Sequence, residues 1–192
     1  MMLNPLLHIF VFLNFQISIP EQTDFEGIVT YHHEYSIDSL SRFYGEESTY
    51  FFKKGNYKQV FNGQGAKLSI YDVGKNEIVS VISQDTIVTD CGLKSEDILD
   101  YEIIENSEKV LDELCHVLII KTDRRVTHYF YSDNYKVRPS FMENHKYGSL
   151  SFIYSKIKAL PLRIVTYYPS FSIKMTAIAV KEKELSDKLF TL

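Results

Sequence analysis

Six histidines, two cysteines and 25 acidic residues are the side chains of this 192-residue chain that could ligate a metal, attack a carbonyl or shuttle a proton. Their spacing argues against all three. His32 and His33 are adjacent, and in an extended segment neighbouring side chains point to opposite faces, so the pair cannot chelate one ion. The same geometry separates the thiol and imidazole of Cys115 and His116, which rules out a nucleophile–base dyad built from that pair alone. Neither Cys91 nor Cys115 has a second ligand at the short spacing of a zinc site. Gly63-Gln64-Gly65 lacks the third glycine and following helix of a phosphate-cradling loop and reads as a turn. The acidic pairs Glu46 with Glu47 and Glu182 with Glu184 fall in turn and tail segments, where solvated surface accounts for them. A nucleophile elbow, a P-loop and a zincin helix are all absent from the sequence. The expectation is a binding or structural protein, not an enzyme, with no cofactor, metal or catalytic set.

Composition narrows the binding class. The net charge is −4, from 21 basic and 25 acidic residues, so there is no concentrated positive field for a phosphate backbone and nucleic acid is not an expected partner. With 45% hydrophobic and 24% charged residues the chain is an ordinary globular one, of a length that one core can serve. Fourteen Tyr and thirteen Phe beside no Trp, eight Gly and five Pro favour strands, because flat rings pack well on pleated surfaces.

The elements follow from period and punctuation. Residues 25–35 alternate, placing Phe25, Val29, Tyr31, His33 and Tyr35 on one face. Residues 38–47 read as a connection. Runs at 48–53 and 57–62 flank Lys54-Gly55-Asn56, runs at 67–73 and 77–82 flank Gly74-Lys75-Asn76, and 86–89 follows Gln84-Asp85, which is a meander of hairpins. Residues 94–99 fit one helical turn. Strands are expected at 101–105, 115–122, 126–132, 150–157, 160–168 and 171–181, and a short helix at 139–146, opened by Pro139 and stopped near Gly148. The continuous apolar run Val117–Ile120 requires burial on both faces. The fold class is therefore mainly β: a single curled antiparallel sheet with a few short helices covering one face. In its last strand Ile173, Met175, Ala177 and Ala179 alternate on one side; with Leu162 and Ile164 of the preceding strand they are the candidate hydrophobic-ligand face, since small residues there leave room for a helix, a loop or a ligand.

Residues 3–19 hold an apolar stretch that ends abruptly at Pro20, Glu21, Gln22, Thr23 and Asp24. It is shorter than a membrane-spanning helix and interrupted by His8, Asn14 and Gln16, and its length suits a signal-peptide core. Residues 1–20 are thus expected to be a signal peptide and 21–192 the mature β domain, without a transmembrane segment; the competing reading is a first strand or buried helix of the domain. Export would place Cys91 and Cys115 in an oxidising space, where a disulfide closing a 25-residue loop contributes roughly 3 kcal/mol. Two unpaired buried thiols are the alternative.

Lys109 to Cys115 (KVLDELC), the following strand HVLII and the aromatic strand THYFYS resemble the GLPGLI-type and related exported proteins of Gram-negative bacteria, which are similar to the LolA/LolB lipoprotein-carrier superfamily. Lys109, Val110, Leu111, Cys115, Tyr131 and Ser132 match the family pattern, as do the opening Phe25–Tyr31 and the Ala159–Arg163 segment. Asp112 stands where the family has Gly, an exchange that a left-handed turn tolerates, and Glu113 stands where it has Tyr. The resemblance implies a curled half-barrel with helices over its concave face, a periplasmic or cell-envelope location, and a lipid, a lipoprotein acyl chain or another hydrophobic ligand as partner. It also favours the Cys91–Cys115 disulfide. A structural module that binds another envelope protein through a sheet edge is the second reading.

Overall fold

The structure is a computed structural model that describes residues 24–192; the expected signal peptide, residues 1–20, lies outside the described residues. Eleven strands and two short helices follow in the order β1 (Gly27–Tyr35), α1 (Asp38–Tyr44), β2 (Glu47–Lys53), β3 (Asn56–Phe61), β4 (Ala66–Asp72), β5 (Glu77–Ile82), β6 (Asp85–Asp90), β7 (Ile98–Val110), β8 (Glu113–Thr122), β9 (Val126–Lys136), α2 (Leu150–Ile157), β10 (Ala159–Tyr167) and β11 (Ser172–Glu182). All strands join one antiparallel sheet, ordered β6-β5-β4-β3-β2-β1-β11-β10-β9-β8-β7 and not closed into a barrel. Every sequence neighbour is a sheet neighbour except β6 and β7, which form the two edges.

That exception fixes the shape. Laid flat, ten inter-strand steps at about 4.8 Å would separate the edges by about 48 Å. Cys91 to Asp97 is the only chain between them, and eight residue steps reach about 28 Å at full extension. The sheet must therefore curl until its edges approach, and the apolar faces of its two flanks turn toward each other.

Local chemistry sets the turns. Lys54 and Gly55 both adopt positive φ, so the first hairpin turns on Lys-Gly and Asn56 already belongs to β3. Leu111 and Asp112 (φ 53° and 64°) make the left-handed β7–β8 turn. The apolar run in β8 is buried on both sides as expected: Val117 joins the main core with Phe52, Phe130 and Leu162, while Leu118 and Ile120 face Ile153 and Ile157 of α2.

Four local expectations change. Residues 150–157, expected as a strand, form α2: Ile153, Tyr154 and Ile157 make a helical stripe that is fully buried, and that packing outweighs the strand preference of Phe, Ile and Tyr. The helix expected at 139–146 is limited to one 3-10 turn, Pro139–Phe141, because the chain must spread to follow the β5 and β6 edge, where Asn76 Nδ2 donates to Asn144 O and Lys146 N donates to Cys91 O. Residues 38–44 form α1 where a connection was expected. The helical turn expected at 94–99 does not form: the segment bends at Glu96 and enters β7 at Ile98.

The disulfide is also corrected. Cys91 and Cys115 are both free and fully buried. Cys91 follows edge strand β6 and Cys115 lies in β8; both join the main core, but the two are not within disulfide distance. Each thiol points to a local carbonyl, Cys91 to Thr89 O at 3.7 Å and Cys115 to Glu113 O at 3.5 Å.

Candidate functional site

The inward residues of β1–β3 are aromatic, and they wall a cavity of about 210 Å³ that α2 covers. Tyr31 (β1), Tyr50 (β2), Tyr57 and Gln59 (β3) form one side, Tyr129 (β9) the other, and Leu150, Ile153 and Tyr154 the cover. Leu160, Pro161 and Ile164 of β10 and Met175 of β11 complete the floor. The volume exceeds the ~150 Å³ apolar cavity known to hold benzene and falls short of the ~300 Å³ at which drug-sized sites begin.

Five tyrosines would make a polar lining if their hydroxyls faced the space, but most are tied elsewhere. Tyr31 Oη donates to Pro161 O at 2.6 Å, the Tyr50 hydroxyl donates to Tyr154, and Tyr57 Oη lies 3.1 Å from His145 Nε2. What remains toward the cavity is ring face and ring edge. The rings support one another: Tyr31 meets Tyr50 edge-on at 6.2 Å, Tyr50 stacks on Tyr57 at 5.4 Å and Tyr57 on Tyr71 at 5.1 Å. Burial pushes the Tyr31, Tyr50, Tyr57 and Tyr154 phenols above their ordinary range and Tyr129 up to about 12, so all stay neutral.

Two histidines back this wall. His33 Nε2 bonds Ser48 Oγ at 2.7 Å, Gln59 Nε2 donates to the same oxygen at 2.9 Å, and His33 Nδ1 meets Tyr35 Oη at 2.9 Å. His145 is fully buried against the Tyr71 ring at 4.4 Å, and its Nδ1 has no hydrogen-bond partner. Burial lowers both to about 4, with His32 adding to the effect at His33. His32 and His33 do lie on opposite faces, and no group of three metal-capable side chains occurs among the described residues.

The expected ligand face is partly assembled here. Ile164 and Met175 are cross-strand partners and both line the cavity. Ala177 pairs with Tyr31 and is buried beneath it, Leu162 belongs to the core behind the floor, and Ile173 lies half-buried between Tyr35 and Thr166. Ala179 is a correction. β1 pairs Thr30 with Ala179 but Tyr31 with Ala177, so Ile178 is a bulged extra residue, and the inserted residue turns Ala179 onto the exposed face. The tyrosines and the α2 residues were not singled out from the sequence. The alternation of Tyr31, His33 and Tyr35 carried the signal for the first of them, and reading 150–157 as a strand hid the cover.

No protein-family model matches the chain, and no curated protein matches it. Solved structures of similar fold include PNGF-II, at TM-score 0.50 and 13% identity, covering 85% of this chain and 29% of that one. They also include MucB, at 0.40 and 11%, covering 87% and 57%, and the LolA superfamily protein NE2245 from Nitrosomonas europaea, at 0.37 and 11%, covering 89% and 91%. The chain thus spans 29% of PNGF-II and 57% of MucB. The likeness to PNGF-II is one of fold.

Proposed function

We propose that this protein is a non-enzymatic binding protein of the cell envelope that holds an apolar ligand, such as a lipid or an acyl chain, in the tyrosine-walled cavity. The observation that carries the reading is the cavity itself: a preformed, mainly apolar space under α2, with the Tyr31, Tyr50 and Tyr57 hydroxyls bonded to protein groups. Burial shifts the phenols above and the histidines below their ordinary ranges, away from the pKa that general acid–base work at neutral pH needs, which supports binding over catalysis. Export, with residues 1–20 as signal peptide and 21–192 as the mature domain, belongs to the same proposal, as does the GLPGLI-type kinship. Among the described residues no helix is long and apolar enough to cross a membrane.

Solvent extraction of the purified protein followed by mass spectrometry tests the reading. A co-purifying apolar molecule in stoichiometric amount is the expected result; a protein that carries none and takes up no apolar probe contradicts it. A second reading, docking of an envelope protein along a sheet edge, draws on β7, a 13-residue edge strand whose Leu99, Ile103 and Ile104 are 62%, 42% and 40% exposed.

A further inference from the structure

A second concavity, a cleft of about 490 Å³, takes lining residues from α2 and β9 as the tyrosine cavity does and differs from it in charge. Its lining holds Lys136, Lys156 and Lys158 together with His116 and the carboxylates of Glu105 and Asp133, in a protein whose net charge is −4. The backbone brings the cations together. Lys136 ends β9 opposite Ala159, and Lys158, in left-handed conformation at the end of α2, accepts the Val137 N–H at 2.9 Å. Lys156 is held by the Tyr101 hydroxyl, to which Nζ donates at 3.2 Å, and lies 4.6 Å above the Tyr101 ring. Asp133 Oδ2 is 3.7 Å from His116 Nε2. Three ammonium groups against two carboxylates leave a lining of net positive charge that suits an anion.

The two concavities are in step on two separate elements. On α2, Ile153 lines the apolar cavity and Ile157 the cleft, four residues or about 6 Å along one helix face. On β9, Tyr129 lines the cavity and Tyr131 the cleft, two residues or about 7 Å along one strand face. We infer that the cleft is the head-group site for an anionic amphiphile whose apolar chain enters the tyrosine cavity. This rests on the proposed function and specifies its ligand class; a carboxylate and a phosphate head share the chemistry.

Calorimetric titration with octanoate, octyl phosphate and octanol, on wild-type protein and on the Lys136→Gln/Lys158→Gln double variant, tests it. Two exposed charges predict that both anions bind roughly threefold to tenfold tighter than octanol. That advantage should disappear in the double variant and at high salt, with octanol affinity unchanged. Tighter binding of octyl phosphate points to a phospholipid-like source, and tighter binding of octanoate to a fatty acid. Equal affinity for octanol and both anions in wild-type protein overturns the inference and leaves the proposed function standing; saturable binding of none of the three overturns both. Circular dichroism checks the variant's fold, and the wild-type comparison across salt decides the matter without it.

Discussion

The Tyr57 hydroxyl of β3 lies 3.1 Å from Nε2 of His145, with the two rings 6.0 Å apart and nearly parallel, so the segment leading into α2 is fastened to the cavity wall through an imidazole that must stay neutral. Protonation would place a charge in a fully buried site.

Acid should therefore loosen this fastening. Burial lowers His145 and His33 to about 4, from an ordinary value of 6.5. An unfolded chain takes up the protons first as pH falls, so the stabilisation from each neutral histidine is complete above pH 6.5, is lost between 6.5 and 4, and loses no more below 4. Each depression corresponds to at most about 3 kcal/mol. Urea unfolding at neutral pH and near pH 4.5 should show that loss, reduced in His145→Gln; equal stability at the two pH values contradicts it.

Arg125 and Glu96 clamp the segment that crosses between the edges. Nη2 reaches Oε1 at 2.6 Å and Nε reaches Oε2 at 3.0 Å, with Glu96 4% exposed and Thr122 Oγ1 donating to it at 3.1 Å. Arg125→Leu strands a buried carboxylate and should cost about 3–5 kcal/mol, whereas Glu96→Leu/Arg125→Leu, which strands neither, should cost less than the single change. Denaturant midpoints of the three proteins check this; a double variant less stable than Arg125→Leu refutes it.

Both cysteines should be inert in the native protein. Burial pushes the Cys91 thiol up to about 11 and raises Cys115 as well, so little thiolate forms at neutral pH. A chromogenic disulfide reagent should find no reactive thiol in native protein and two after denaturation. Non-reducing peptide mapping that recovers a Cys91–Cys115 peptide would contradict the structure.

Gly27 is a packing requirement, not a flexible joint. A Cβ there would meet Lys181 O of β11 at 2.3 Å, and backbone cannot step aside without breaking the β1–β11 ladder. Gly27→Ala should cost about 1–3 kcal/mol. Gly74→Ala, where the nearest atom is the side-chain Asp72 Oδ1 at 3.2 Å, is the control that should melt near the wild type.

The sheet was legible in the sequence because period and turn chemistry act locally: alternation in β1, the Gly-containing hairpins and the doubly buried β8 are all as the residues imply. The cover was not. Leu150–Ile157 is rich in strand-preferring residues and becomes a helix only because Ile153, Tyr154 and Ile157 find a facing surface made of β8–β10, which no local pattern announces. The site was legible only in part, for the same reason. Ile164 and Met175 were identifiable as a shared face, but the bulge at Ile178 that turns Ala179 outward depends on the register with β1. The thiols likewise depended on tertiary packing, which buries Cys91 and Cys115 in one core without pairing them.

The most direct test of the central claim is octanol binding by wild-type protein and by Met175→Phe, which fills the space between Met175, Ile164 and Tyr31. The account predicts saturable single-site uptake by the wild type and at least a roughly tenfold loss of affinity in the filled variant, equivalent to about 1.4 kcal/mol. Absence of saturable uptake by the wild type, or equal affinity in the two proteins, would contradict it.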